Sequence, residues 1–228
     1  MIEKNMTLAE VVKEFPHAID IFNEYNLDYC CGGNDSLSAA LEEKEIDIPS
    51  FVDKLNKAKE AFSSNQATKL NTSLYDLTPA DLIDFIEDSH HIEERDLLYK
   101  LDGLVNKILI VHYEDYKEEL IPVHHLFSDL KKELEEHFIK EEKLVFPLLK
   151  EANAENMGRC IELMEELKAE HEAAGEIIKK LQEVTRNFQP PRGVCPTYIS
   201  TYQNLKALTD DIFLHIYTEN SILFEKIA

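Results

Sequence analysis

One pattern constrains the fold of this chain of 228 residues more than any other. A histidine followed four positions later by a glutamate recurs in the C-terminal half of the chain, at His137/Glu141 and at His215/Glu219. In a helix, residues four apart lie on the same face, so each pair directs an imidazole and a carboxylate towards one point. His171 lies between the two pairs, and two adjacent histidines near residue 90 offer a fourth position. One helix for each position predicts a four-helix bundle with these side chains pointing inward.

The apolar period of the helices predicts that these side chains are buried. His137 lies at helical spacing from Leu130, Leu144 and Leu148, and the other histidines and both glutamates align with apolar residues in the same way. Burying a carboxylate is costly unless it is paired or bound to a metal. No lysine or arginine occupies the apolar stripes, so the pattern favours a metal site.

The kinds of ligand restrict the metal. Calcium and magnesium prefer oxygen ligands throughout, and a structural zinc site uses more sulfur. Imidazole and carboxylate ligands from four helices, without thiolate, favour a dinuclear iron or manganese centre with bridging carboxylates.

The ligand on the first helix is ambiguous between two neighbours. By helical period, His90 and not His91 lies on the apolar stripe of Ile83, Ile86 and Leu97. His91 instead shares a face with polar residues. Spacing alone therefore favours His90.

Charge and composition exclude some classes of partner. The chain has 45 acidic and 24 basic residues and a formal charge of −21, which argues against nucleic acid and anionic membranes. No stretch has the ~18 apolar residues of a membrane span, and the first residues do not resemble a signal peptide. We therefore expect a cytoplasmic protein.

The pattern of residues predicts an all-α fold with two domains. Residues 1–60 indicate short helices, and 61–77 are polar enough to form a linker. Residues 78–228 show the 3.6-residue period of a bundle. Its first helix is expected to begin after the N-cap Thr78 and to run to about His112.

The four cysteines do not have the spacing of a disulfide framework or of a Cys-x2-Cys metal site. Cys30 and Cys31 precede two glycines in a turn. They are either small turn residues or an accessible thiol site for redox exchange or metal capture. Cys160 and Cys195 are most simply buried or loop thiols.

Several motifs together resemble one family. The segment from Asp28 to Gly33, with its Cys-Cys-Gly-Gly sequence, resembles the small domain of the RIC (repair of iron centres) proteins of the ScdA and YtfE type. The two His-x3-Glu pairs, Glu170-His171-Glu172 and Pro190-Pro191 with Cys195 resemble the hemerythrin-like di-iron domain of that family. The resemblance covers essentially the whole chain and implies six iron ligands: His91, His137, Glu141, His171, His215 and Glu219. In that family the ligand on the first helix is a histidine followed four positions later by an arginine. Here His91 and Arg95 have this spacing, so the resemblance favours His91 over His90.

The resemblance implies a di-iron protein that restores iron–sulfur clusters damaged by nitric oxide or peroxide, with damaged iron–sulfur proteins as partners and a homodimer as assembly. On this view Glu133 and Glu170 line an exit route for iron, and Cys30 and Cys31 relay iron or electrons. Iron donation is favoured over enzymatic turnover. The alternatives are a non-haem di-iron nitric oxide reductase and a hemerythrin-like protein that binds or senses oxygen or nitric oxide.

Overall fold

The computed structural model describes residues 1–30, 32–64 and 74–228, and these ranges are mainly helical. The helices are α1 Leu8–Glu14, α2 Ala18–Glu24, α3 Leu37–Glu43, α4 Ile48–Ser64, α5 Pro79–Asp88, α6 His90–Val111, α7 Tyr113–Lys140, α8 Phe146–Lys150, α9 Met157–Val184, α10 Pro196–Thr218 and α11 Phe224–Ile227. The three described ranges contain no β-strand, only an isolated bridge between Thr7 and Ser36. The predicted all-α fold class is therefore confirmed. None of the described helices has the length and apolarity that crossing a membrane requires.

The chain forms two compact units. The first combines Met1–Leu82 with Phe213–Ile227, and the second combines Ile83–Ile212 with Ala228. Of the predicted linker 61–77, residues 65–73 lie outside the described residues. Its beginning belongs to α4, and Leu74–Asp76 forms a 3-10 turn.

Short capped helices build the N-terminal part of the first unit. Thr7 caps α1 through a capping box with Glu10, and the Ser36 hydroxyl accepts the Ala39 N–H at the start of α3, which satisfies amide groups that the helix itself leaves without partners. A core of aliphatic and aromatic side chains lies between the helices: Leu8, Val11, Val12, Phe22, Leu37, Leu41 and Leu55.

The chain folds tightly at Gly32 and Gly33, just after Cys30. A Cβ atom at Gly32 would lie 2.7 Å from the Asp28 carbonyl oxygen, and one at Gly33 would lie 2.8 Å from that of Tyr29. Contacts this short exclude any larger residue without movement of the backbone. The two glycines therefore fix the close approach of the chain to itself at this turn.

The second unit is an antiparallel bundle of α6, α7, α9 and the first four turns of α10. Cross-helix contacts give the directions: Lys131 of α7 pairs with Asp102 of α6 at 2.9 Å, and Lys140 near the end of α7 pairs with Glu170 of α9 at 2.7 Å. Tyr198 at the start of α10 packs against His112 at the end of α6, with ring centroids 5.4 Å apart. The apolar faces of the helices meet in one core, as expected for a bundle.

The predicted first long helix is interrupted, and in this respect the sequence interpretation is wrong. α5 ends at Asp88 and α6 begins at His90, with Ser89 between them at φ −114° and ψ −75°. The Ser89 hydroxyl donates to the carbonyl of Phe85, and such back-bonding bends helices. The break resets the helical phase immediately before His90 and His91. Thr78 does cap α5, because its hydroxyl accepts the Asp81 N–H at 3.2 Å.

The His137/Glu141 and His215/Glu219 pairs each end in a π-helical turn. These turns span Glu141–Val145 and Glu219–Leu223, and each closes with a hydrogen bond from a phenylalanine N–H, of Phe146 or Phe224, to the glutamate carbonyl five residues earlier. Because the extra residue shifts the phase of the helix, Leu144 is 48% exposed while Phe146 is buried. The prediction that Leu144 continues the buried stripe of His137 is therefore wrong. π-Helical turns inside α-helices often occur at functional sites.

Candidate metal centre

Four of the candidate ligands meet in the core of the bundle. His91 and Glu141 are fully buried, and the His91 Nε2 lies 3.2 Å from the Glu141 Oε2. The second oxygen of Glu141, Oε1, lies 3.2 Å from the Nε2 of His137. The Nε2 atoms of His137 and His171 are 3.3 Å apart. One carboxylate thus faces an imidazole on each side, with its two oxygens turned to different nitrogen atoms.

These distances match the requirements of a bound cation. His137, Glu141 and His171 each offer a ligand atom, and the three atoms lie within 4.8 Å of one another. Ligands about 2.0–2.2 Å from one ion are at most about 4.4 Å apart, so small side-chain movements would bring the three into coordination distance. A carboxylate that shares its two oxygens between different imidazoles is suited to bridging two ions.

The break at Ser89 explains how both histidines of the first helix turn inward. His91 reaches Glu141 on α7, whereas the Nδ1 of His90 lies 3.0 Å from the Oδ2 of Asp211 on α10. A helical wheel extended from α5 into α6 turns His90 inward but places His91 on a polar face, since it assumes an unbroken helix. In the bundle, His91 contacts the candidate ligand Glu141, and His90 faces a different carboxylate.

A second carboxylate holds His91 from its outer side. The Nδ1 of His91 lies 2.9 Å from Glu142 Oε1, and Arg95 contacts the same oxygen at 2.8 Å. Burial opposes the charged form of Glu142, but the hydrogen bonds from His91 and Arg95 outweigh it and lower the pKa of this carboxyl group. A carboxylate on Nδ1 fixes the ring so that Nε2 faces the core, which is the usual support of a metal-binding histidine.

His137 has the same kind of support. Its Nδ1 lies 2.8 Å from Glu170 Oε2, and Lys140 contacts the other oxygen of Glu170 at 2.7 Å. Burial raises the pKa of Glu170, but hydrogen bonds from His137 and Lys140 prevail and bring it to about 2. A carboxylate therefore orients each of these two histidines, His91 and His137. A basic side chain, Arg95 or Lys140, contacts that carboxylate in turn.

The second His-x3-Glu pair lies in the first unit. His215 and Glu219 are both buried, with the His215 Nε2 3.6 Å from the Glu219 Oε1. The segment that carries this pair packs against the turn with the paired cysteines. Tyr29 lies edge-on to Tyr217, with ring centroids 5.8 Å apart, and the side-chain amide of Asn220 donates to the Cys30 carbonyl oxygen at 3.5 Å.

The buried side chains of the described residues include many donors suited to a metal. Among the described residues, five histidines and three glutamates are buried but no lysine or arginine is: His90, His91, His137, His171, His215, Glu94, Glu141 and Glu219. Buried carboxylates need a cation close by. Imidazole nitrogen and carboxylate oxygen together fit iron or manganese.

The cysteines differ from one another in exposure. Cys30 is 3% exposed and its thiol donates to Asp28 at 3.2 Å, so the expectation of an accessible thiol is wrong for this residue. Cys31 lies outside the described residues. Cys160 is buried. Cys195 precedes α10, and a hydrogen bond with His112, helped by the amides of Tyr198 and Thr197, lowers its pKa to about 7.

Sequence reasoning missed part of the support of the site. Glu142 was not identified, and Arg95 was noted only as a polar residue on the face of His91 and as part of the family resemblance. The sequence does contain a signal that Arg95 and His91 act together. Arg95 follows His91 by four residues, which places both side chains on one face of α6. Of the two glutamates predicted to line an exit route, Glu170 contacts His137, whereas Glu133 pairs with Lys132 at 3.4 Å on the surface.

Replacing Glu142 by glutamine should weaken metal binding while leaving every candidate ligand in place. The amide cannot supply the negative charge that orients His91, and losing such a partner typically lowers metal affinity about 10- to 100-fold. Competition with a chromophoric chelator measures the change. Glu133→Gln is the matched control and should bind metal like the wild type. Equal affinities for both variants would show that Glu142 does not support the site.

Comparison with known proteins agrees with this architecture. Residues 81–227 match the family described as the hemerythrin HHE cation-binding domain, and residues 4–59 match ScdA_N, described as a domain of unknown function. Similar proteins include the iron–sulfur cluster repair protein ScdA of Staphylococcus haemolyticus, 28% identical over 100% of both chains. Others are a probable iron–sulfur cluster repair protein of Haemophilus influenzae, 30% identical over 96% of this chain and 95% of the relative, and the repair protein YtfE of Shigella boydii, 30% identical over 99% and 98%.

The helical bundle and its inward-facing histidines and glutamates define a cation-binding domain of the hemerythrin type. The chain belongs to the ScdA/YtfE family, in which this domain follows a small ScdA_N domain. The resemblance seen in the Cys-Cys-Gly-Gly segment and the His-x3-Glu pairs is thereby confirmed.

Proposed function

We propose that this protein repairs iron–sulfur clusters damaged by nitrosative or oxidative stress, and that it does so by supplying iron. The observation that carries the proposal is the buried cluster of His91, His137, Glu141 and His171, whose donor atoms converge without sulfur. The printed names of the similar proteins, iron–sulfur cluster repair proteins, support the same function.

The proposed cofactor and cargo is a pair of iron ions. In this proposal His215 and Glu219 would complete the ligand set, in which Glu141 and Glu219 would supply the carboxylate ligands. Two features support the inclusion of these residues: the same His-x3-Glu spacing followed by the same π-helical turn, and the match of the cation-binding domain over residues 81–227. Bound iron would supply the metal ions that a damaged cluster has lost.

The carboxylates that contact the candidate ligands from outside the cluster suit a protein that both stores iron and releases it. Glu142 contacts His91 and its side chain is only 20% exposed, although Arg95, which contacts Glu142, is 42% exposed. Glu170 is different, because its side chain is 36% exposed while it holds the buried His137. We propose that this carboxylate forms the exposed end of an exit route, since it can offer oxygen ligands to an ion that leaves His137.

The cysteine turn is proposed to relay iron or electrons. The supporting contact is the hydrogen bond from Asn220, the residue after Glu219, to the carbonyl of Cys30. Because Cys30 is buried, the relay requires the turn to open or its neighbour Cys31 to act. We further propose a cytoplasmic homodimer whose partners are damaged iron–sulfur proteins.

Reactivation of a damaged enzyme tests the function. An aconitase-type iron–sulfur enzyme is inactivated with nitric oxide and then incubated anaerobically with the iron-loaded protein and a reductant. We expect recovery faster than with an equal concentration of free ferrous iron. A Cys30→Ala/Cys31→Ala variant should retain its iron but repair more slowly if the relay operates.

Two outcomes would contradict the proposal. Recovery no faster than with free ferrous iron would exclude a dedicated repair function. Sustained consumption of nitric oxide by the protein alone, without recovery of the damaged enzyme, would indicate a nitric oxide reductase instead.

A further inference from the structure

A third His-x3-Glu pair lies at the start of α6. His90 and Glu94 are four residues apart, as are His137 and Glu141, so the two side chains share one face of the helix. Both are buried, with Glu94 at 0% and His90 at 4% exposure. Burying a carboxylate is costly unless it is paired or bound to a cation, and in this chain the same pair of residue types with the same spacing recurs at the candidate metal ligands.

A third group completes the arrangement from across the bundle. Asp211 on α10 approaches His90, with its Oδ2 3.0 Å from the His90 Nδ1. One ligand atom from each of His90, Glu94 and Asp211 lies within 4.8 Å of the other two. This set shares no residue with the cluster around Glu141.

We propose that His90, Glu94 and Asp211 form an additional, mononuclear site for a divalent transition-metal ion. One imidazole and two carboxylates offer nitrogen and oxygen but no sulfur, a combination that suits Fe²⁺ or Mn²⁺. The three atoms are close enough for coordination after small side-chain movements. The two carboxylates carry the negative charge that a divalent ion balances in a poorly solvated place.

Exposure distinguishes this site from the buried cluster. The Asp211 side chain is 23% exposed, whereas Glu141 is fully buried. Three protein ligands also leave coordination positions for water. The site therefore takes up its ion from solvent and exchanges it more readily than a fully enclosed centre does.

The break at Ser89 creates this site as well as the inward turn of His91. Because α6 restarts at His90, two consecutive histidines reach different partners: His91 contacts Glu141 on α7, and His90 contacts Asp211 on α10. The side-by-side arrangement of two metal-ligand sets is thus a consequence of one interruption in the helix.

Manganese titration followed by electron paramagnetic resonance tests the proposal. The iron-loaded full-length protein is titrated with Mn²⁺, and the signal of the hexaaquo ion reports what remains unbound. We expect one Mn²⁺ per chain to bind while the iron content, measured by mass spectrometry, stays constant. Asp211→Asn should weaken this binding at least about tenfold, because it removes a charged ligand.

The neighbouring aspartate gives a matched control. Asp210 pairs with Lys206 at 2.6 Å, so Asp210→Asn removes the same charge one residue away and should leave Mn²⁺ binding unchanged. Glu94→Gln, a substitution of equal size, should weaken binding as Asp211→Asn does, and thermal unfolding checks that each variant folds.

Three results would overturn the proposal. They are the absence of Mn²⁺ binding, equal effects of Asp210→Asn and Asp211→Asn, and release of iron in proportion to the Mn²⁺ taken up. The last would place the ion in the buried cluster. The iron content of the starting protein is measured separately, so a failure of the proposed iron centre is distinguishable from a failure of this site.

Discussion

Replacing Glu141 by alanine is expected to remove most of the bound metal. Glu141 is fully buried and faces both His91 and His137 at 3.2 Å, so its loss removes a ligand from each side of the proposed centre. We expect the wild type to hold about two iron ions per chain and the variant to hold well below one. Mass spectrometry of anaerobically purified protein measures both. The variant should also fail to reactivate a damaged iron–sulfur enzyme.

A control on the same helix separates this effect from general destabilisation. Glu136 lies on α7, five residues before Glu141, and is exposed, so Glu136→Ala should keep its iron and its repair activity. If Glu141→Ala kept its iron as well, the carboxylate between the two histidines would not be a ligand.

Removing the metal should lower the thermal stability of the whole protein. A ligand at about 1,000 times its dissociation constant contributes about 4 kcal/mol to folding. A chain of this size changes its melting temperature by about 2–4 °C per kcal/mol, so the expected decrease is about 8–16 °C. The physical cause is the cost of keeping Glu141 and its neighbouring histidines buried without a cation. Circular dichroism of iron-loaded and chelator-treated protein measures the difference.

The same comparison in Glu141→Ala provides the control. This variant binds little metal, so chelator treatment should change its melting temperature by only a small amount. Equal melting temperatures of the loaded and stripped wild type would mean that the cluster is stable without metal and has a structural role.

The burial of the candidate ligands could be predicted from sequence, because helical period determines which face of a long helix meets the core. His137, His171 and His215 are all buried, as their alignment with apolar residues predicts. Glu141 and Glu219 each stand at the first position of a π-helical turn, so the regular helix before them still fixes their direction.

Irregular backbone explains where sequence interpretation was wrong. Leu144 lies within the π-helical turn and is exposed, and the wheel that preferred His90 crossed the break at Ser89. A helical wheel assumes 3.6 residues per turn throughout, so one extra or displaced residue shifts every later position. The outer partners Glu142 and Glu170 depend on how neighbouring helices meet, which the period of a single helix does not encode.

Transfer of labelled iron tests the central claim most directly. The protein is loaded with ⁵⁷Fe, freed of loosely bound metal and incubated with a nitric oxide-damaged iron–sulfur protein in a medium containing iron of natural isotopic composition. If the protein repairs clusters by supplying iron, Mössbauer spectra and isotope ratios of the recovered partner will show ⁵⁷Fe in the rebuilt cluster, and the loss from the donor will match the gain. A cluster rebuilt from iron of the medium, with the ⁵⁷Fe still bound to this protein, would contradict that account.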